Sequence, residues 1–160
     1  MSQASQQPLH HSRRTLSATL RQWPFGLALA LAVQVCAVNT ALAADTPAGQ
    51  MAAWATAAKA ADPGFAPSAD RGKAFFNKQV GHSTDMPSCA ACHTSNPAAS
   101  GKHAISGKVI APLSPSANVE RFADAAKTEK WFKRNCNDVL GRLCTPAEKA
   151  DFVSFLITQK

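Results

Sequence analysis

No methionine follows Met86 in this chain of 160 residues, and no acidic residue precedes Asp45. No apolar run reaches the ~20 residues that a membrane-spanning helix requires; the best candidate, Phe25 to Val38, is too short for a retained anchor. Lys and Arg form no dense run with interleaved aromatics, so a formal charge of +7 does not point to nucleic acid. No stretch alternates apolar and polar residues with period two, which argues against a sheet protein. There are neither internal repeats nor a low-complexity tail. Cysteine is scarce, at five residues. No second ligand pair stands at the spacing that completes a structural zinc site, and no βαβ pattern frames a thioredoxin-like dithiol.

What is present begins with an export signal. Arg13, Arg14 and Arg21 make a positive leader, Phe25 to Val38 an apolar stretch, and Ala41-Leu42-Ala43 ends it with small residues at the two cleavage positions. This order predicts a cleaved signal peptide over residues 1–43 and delivery to the periplasm. Cys36 lies in the apolar stretch and leaves with it. The mature chain, Ala44 to Lys160, is then about 117 residues, one domain of common size. It keeps fourteen Lys and Arg against ten Asp and Glu and is mildly basic.

The rest of the chain is arranged about Cys89-Ala90-Ala91-Cys92-His93. A Cys-x-x-Cys-His pentapeptide is the attachment signal for c-type haem. Each of its two thiols can bond one vinyl group of a single haem, and the adjoining imidazole is the iron's axial ligand. Cys136 and Cys144 remain; in an oxidising compartment a disulfide between them is the default, and two free thiols the alternative.

Helical signals surround the motif. Gln50 to Ala61 is an Ala-rich first helix, broken by Asp62-Pro63-Gly64. Ser68 can cap a short helix from Ala69 to about Lys78. Asn96 to Pro115 carries two glycines and three prolines and predicts loop throughout, long enough to wrap a prosthetic group. Thr128 to Leu140 predicts a helix ended by Gly141. Thr145-Pro146-Ala147-Glu148 is a capping box opening a last helix, to about Thr158, with Phe152, Phe155 and Leu156 on one face. The class is all-α, with short helices and long loops around one covalent haem, as in the class I cytochrome c fold.

An electron-transfer cytochrome c usually draws its sixth iron ligand from a methionine downstream of the motif. Here no methionine is available there. His103 follows His93 by ten residues, and its plain reading is a solvated loop histidine; His82 is weaker still. Asn135 stands out. On a helical wheel Trp131, Phe132, Asn135, Cys136 and Val139 share one arc, and Lys130, Lys133, Arg134, Asn137 and Asp138 share the other. Asn135 is the uncharged polar residue of the apolar arc. A buried amide must find partners: a backbone carbonyl or a haem propionate on one reading, the iron on the other. Periodicity leaves both open.

Two blocks carry a family resemblance: Gly107-Lys108-Val109-Ile110-Ala111-Pro112-Leu113-Ser114-Pro115-Ser116-Ala117-Asn118 with Arg121-Phe122, and Glu129 to Arg142 followed by Cys144-Thr145-Pro146. The chain from about Met51 to Lys160 resembles the sphaeroides haem protein (SHP) family of oxygen-binding monohaem cytochromes c. The most specific element is Arg134-Asn135-Cys136 with a second Cys eight positions on. The resemblance implies His93 as proximal ligand, Asn135 as a distal ligand that dissociates on reduction, and a Cys136–Cys144 disulfide. It implies O2 or NO as ligand, an associated NO- or O2-consuming activity, and a dihaem cytochrome c and a membrane cytochrome b as electron donors. Pro112 resembles the cytochrome c proline whose carbonyl accepts from the proximal His, and Trp131 lies beside the expected distal ligand. The rival is a pure electron-transfer cytochrome with an unusual, permanent sixth ligand. Lys127, Lys130, Lys133 and Arg134 form either a steering face for an acidic redox partner or a plain solvated face.

Overall fold

A computed structural model describes residues 45–160; the signal peptide expected over residues 1–43 lies outside them. Among the described residues, five helices run in the order α1 (Pro47–Ala58), α2 (Ala69–Asn77), α3 (Cys89–His93), α4 (Ala125–Leu140) and α5 (Pro146–Ile157). Two short strands, β1 (Gly101–Lys102) and β2 (Val109–Ile110), lie between α3 and α4. The architecture is the helical, class I-like one expected.

Local signals explain the boundaries. Helix α1 begins three residues before the expected Gln50, because the Thr46 hydroxyl accepts from Gly49 N at 3.0 Å and Pro47 sits in the first turn. Helix α4 likewise starts earlier than Thr128. Asp124 caps it, accepting from Lys127 N at 2.8 Å, and the Thr128 hydroxyl bonds back to Asp124 O inside the first turn. The Thr145/Glu148 capping box of α5 is present on both sides.

The stretch from Asn96 to Pro115 is not loop throughout. Gly101 pairs with Ile110 and Lys102 with Val109 in an antiparallel ladder, extended by His103 N donating to Lys108 O at 2.8 Å. A two-residue strand has too few side chains to display a period, so the pattern was silent here. The following segment is tied down at long range: Leu113 N and Ser114 N donate to Pro97 O, and the hydroxyls of Ser114 and Ser116 donate to Gln159 O near the C-terminus.

The core forms where α5 packs on α1, α2 and α4. Phe76, Val153 and Leu156 are fully buried, with Phe132, Phe152 and Phe155 around them. Each such side chain contributes roughly 1.5–3 kcal/mol by leaving water. Phe132 and Phe152 meet edge to face at 5.5 Å, and Trp54 meets Phe132 at 5.1 Å. The buried Asp151 of α5 accepts from Ser68 N at 2.7 Å and from Arg71 Nε and Nη2 at 2.7 and 2.8 Å, locking α2 to α5. Cys136 and Cys144 form a disulfide with a Cα separation of 5.6 Å, closing a short loop worth about 2–3 kcal/mol by chain entropy.

Candidate functional site

Helices α3 and α4, the β-hairpin and the segment around Arg121 enclose one side of a cavity of about 540 Å³. Its wall is largely apolar, as small-molecule and cofactor sites are. Cys89, Cys92, His93, Trp131 and Asn135 all line it.

Helix α3 is only five residues long and survives by its ends. The Ser88 side chain accepts from Ala91 N, and Thr94, at φ 61°, turns the chain out immediately after His93. The hairpin is pressed against this turn. A Cβ on Gly101 would stand 2.1 Å from the carbonyl oxygen of Cys92, and Ala104 N donates to Cys92 Sγ at 3.3 Å. Both thiols are free. Burial pushes the Cys89 thiol up to about 11. Burial, with help from the Arg121 charge, pushes His93 down to about 4, so its imidazole is neutral and has a lone pair to offer at neutral pH.

All five residues of the expected apolar arc of α4, Trp131, Phe132, Asn135, Cys136 and Val139, line the cavity. They differ in burial: Phe132, Cys136 and Val139 are buried, whereas Trp131 and Asn135 are exposed. The polar lining divides by its hydrogen bonds. Ser88, Asn118, Thr128 and His103 are each engaged in hydrogen bonds with nearby backbone. Among the described residues, His93 and Asn135 are the lining His, Ser, Thr or Asn side chains that have none.

His103 reaches the wall but turns inward on its own hairpin. Its Nδ1 accepts from Ile105 N and Ser106 N at 3.3 and 3.2 Å. His82 is placed elsewhere, its ring against Gly141 at the disulfide turn. The Pro112 expectation is corrected. That carbonyl accepts from Arg121 Nε at 2.8 Å and Asn118 Nδ2 at 3.3 Å, and no hydrogen bond from His93 to it occurs among the described residues. Two donors occupy the lone pairs an imidazole N–H would need.

Comparison with known proteins identifies the family and the fold. A family model described as a domain of unknown function, DUF1924, matches residues 63–156. The chain is 47% identical over 120 residues to cytochrome c-type protein SHP of Cereibacter sphaeroides, covering 74% of this chain and 89% of that protein. The chain belongs to the SHP family of cytochromes c. Cytochrome c'' of Methylophilus methylotrophus is 46% identical over 104 residues, 64% of this chain and 72% of that protein. The fold follows its relatives. The crystal structure of oxidised cytochrome c'' superposes with a TM-score of 0.65 at 42% identity, covering 69% of this chain and 91% of that one. The structure of oxidised SHP, described as an oxygen-binding cytochrome c, gives 0.63 at 46% identity, covering 72% and 99%. No helix among the described residues is long and apolar enough to cross a membrane.

Arg121, which lines the cavity, is not singled out by the sequence. Arg121 appeared there only as part of a matching block, because its setting is built from backbone carbonyls that leave no trace in residue type.

Proposed function

We propose that this SHP-family cytochrome c is a periplasmic monohaem protein that accepts electrons and binds O2 or NO at a site guarded by Asn135. The residues fit the cofactor. Two free thiols line the cavity one helical turn apart, suited to thioether attachment, and the adjoining His93 is desolvated, neutral and without a hydrogen bond. Haem iron supplies the redox centre and the ligand-binding position.

The observation that carries the reading is a pair of side chains with no hydrogen-bond partner among the described residues. His93 and Asn135 reach one cavity from separate helices, and every other comparable polar side chain there is already engaged. A neutral amide oxygen is a hard, weak ligand, suited to ferric iron and poorly suited to ferrous. With haem bound, Asn135 would be the residue to hold the ferric iron weakly, and once released its amide N–H would be free to donate to a diatomic ligand. The disulfide at Cys136 holds the helix end next to it. A dihaem cytochrome c and a membrane cytochrome b fit as the electron donors, and consumption of NO or O2 as the associated reaction.

The test is spectroscopic. The purified, reduced protein should shift its Soret band on addition of CO, NO or O2. Asn135→Ala should change the ferric spectrum and admit small anions. A Soret band indifferent to all three gases defeats gas binding and leaves a pure electron carrier with a permanent sixth ligand. An Asn135→Ala ferric spectrum like the wild type removes Asn135 as ligand. Steady-state NO or O2 consumption with a reductant decides whether binding leads to turnover.

A further inference from the structure

Arg121 is a half-buried cation in the wall of the cavity, and among the described residues it pairs with no carboxylate. Burial alone draws its guanidinium below the usual arginine range, with no neighbouring acid raising it back. A charge partly withdrawn from water is stabilised by a nearby counter-charge.

Its direction is set by the backbone. Nε donates to Pro112 O at 2.8 Å and Nη2 to Ala111 O at 2.7 Å. The segment carrying those carbonyls is fixed by Pro97 and, through Ser114 and Ser116, by Gln159. On the other side Phe122, at φ 62°, has its carbonyl held by the buried Gln50 amide at 2.8 Å. Two of the five N–H groups of the fork are thereby used, and three remain for an anion. A guanidinium with several free donors is matched to a carboxylate.

We propose that Arg121 anchors a propionate of the haem, neutralising that carboxylate beside the iron while tying it to the Ala111–Pro112 segment. The proposal rests on the haem reading above. It makes Arg121 a positioning residue with an electrostatic signature. With the propionate paired, its negative charge does little to favour the ferric state; left unpaired, it stabilises ferric iron and lowers the reduction potential.

The experiment compares wild type, Arg121→Gln and Arg121→Lys as full-length exported chains. A pyridine haemochrome measurement first counts haem per chain. Absence of haem from the wild type sinks the cofactor reading itself; haem in the wild type isolates the question of Arg121. In Arg121→Gln the ferric-to-ferrous ratio at a fixed applied potential should rise about tenfold at pH 7, a fall of about 59 mV for one electron. Arg121→Lys keeps the charge but not the fork. It should retain most of the potential while shifting the propionate bending band in the resonance Raman spectrum. An unchanged potential in Arg121→Gln, even with lowered thermal stability, overturns the proposal and leaves Arg121 as a tie for two carbonyls. If Arg121→Gln fails to mature, an unchanged propionate band in Arg121→Lys overturns it equally.

Discussion

Gly101 shows how one missing side chain shapes the site. The β-hairpin lies so close to α3 that a Cβ at this position would meet Cys92 O at 2.1 Å and His93 Cα at 3.0 Å. Both obstacles are backbone, with no rotamer to swing away. Gly101→Ala should therefore displace the hairpin from the Cys-x-x-Cys-His turn at a cost of about 1–3 kcal/mol, the usual range for overpacking. Haem incorporated per chain should fall with it, measured by pyridine haemochrome against total protein. Full incorporation with unchanged thermal stability would show that the hairpin is free to yield. At this scale legibility depends on what makes a residue special. Cys89, Cys92 and His93 are readable as candidates because the haem attachment signal sets residue types at fixed spacing, and Asn135 because an amide interrupts an apolar period; all four line the cavity. Gly101 and Arg121 are not. Their roles come from the backbone of distant segments, which residue types do not encode.

Helices α4 and α5 meet at a joint whose parts were mostly visible in advance. Gly141 ends α4 in the left-handed conformation at φ 70°, the disulfide closes the turn, and the Thr145/Glu148 box opens α5. The boundaries at Thr46 and Asp124 were missed, since several residues there can cap and only the fold selects one. Glu148 does two jobs, accepting from Thr145 N at 2.8 Å and from Arg142 Nη2 at 2.6 Å. Burial raises its pKa, but the Arg142 and Thr145 hydrogen bonds together outweigh burial and leave it below the ordinary 4.5. A carboxylate depressed in the folded state stabilises above its unfolded pKa, and that contribution is lost as pH falls through the folded value. Arg142 is about half exposed, so solvent screens the pair and about 1 kcal/mol or less is at stake. Glu148→Gln should thus be less stable than wild type by that amount at pH 7, and the gap should narrow as the pH is lowered through the folded-state value. Urea midpoints at pH 7 and pH 3 check this; a constant gap would show that the charge of Glu148 is not what matters.

Across the whole molecule, charge and exposure are arranged around the cavity. The helical class was readable from start and stop signals together with the absence of period two, whereas the ties that close the structure, such as Ser114 to Gln159, join residues far apart in sequence and carry no local signal. The outer face of α4 carries Lys127, Lys130, Lys133 and Arg134, all exposed, with Lys127 and Arg134 at the cavity rim. Arg134 is partly committed, 3.8 Å from Asp138 and 5.7 Å from the Trp131 ring centre. The three lysines make no ion pair among the described residues. Cations that satisfy no internal partner, gathered beside a redox site, give a field that reaches about one Debye length, roughly 8 Å at physiological salt. Such a field raises the rate of encounter with an acidic partner more than it raises affinity. Reversing two charges that are remote from the cavity wall, Lys130→Glu and Lys133→Glu, should therefore slow reduction by an acidic donor several-fold at low ionic strength. The difference should vanish at high salt, with gas binding untouched. Stopped-flow reduction across a salt series measures it. Rates that depend neither on salt nor on the two substitutions would assign the face to solvation alone and place electron entry elsewhere on the surface.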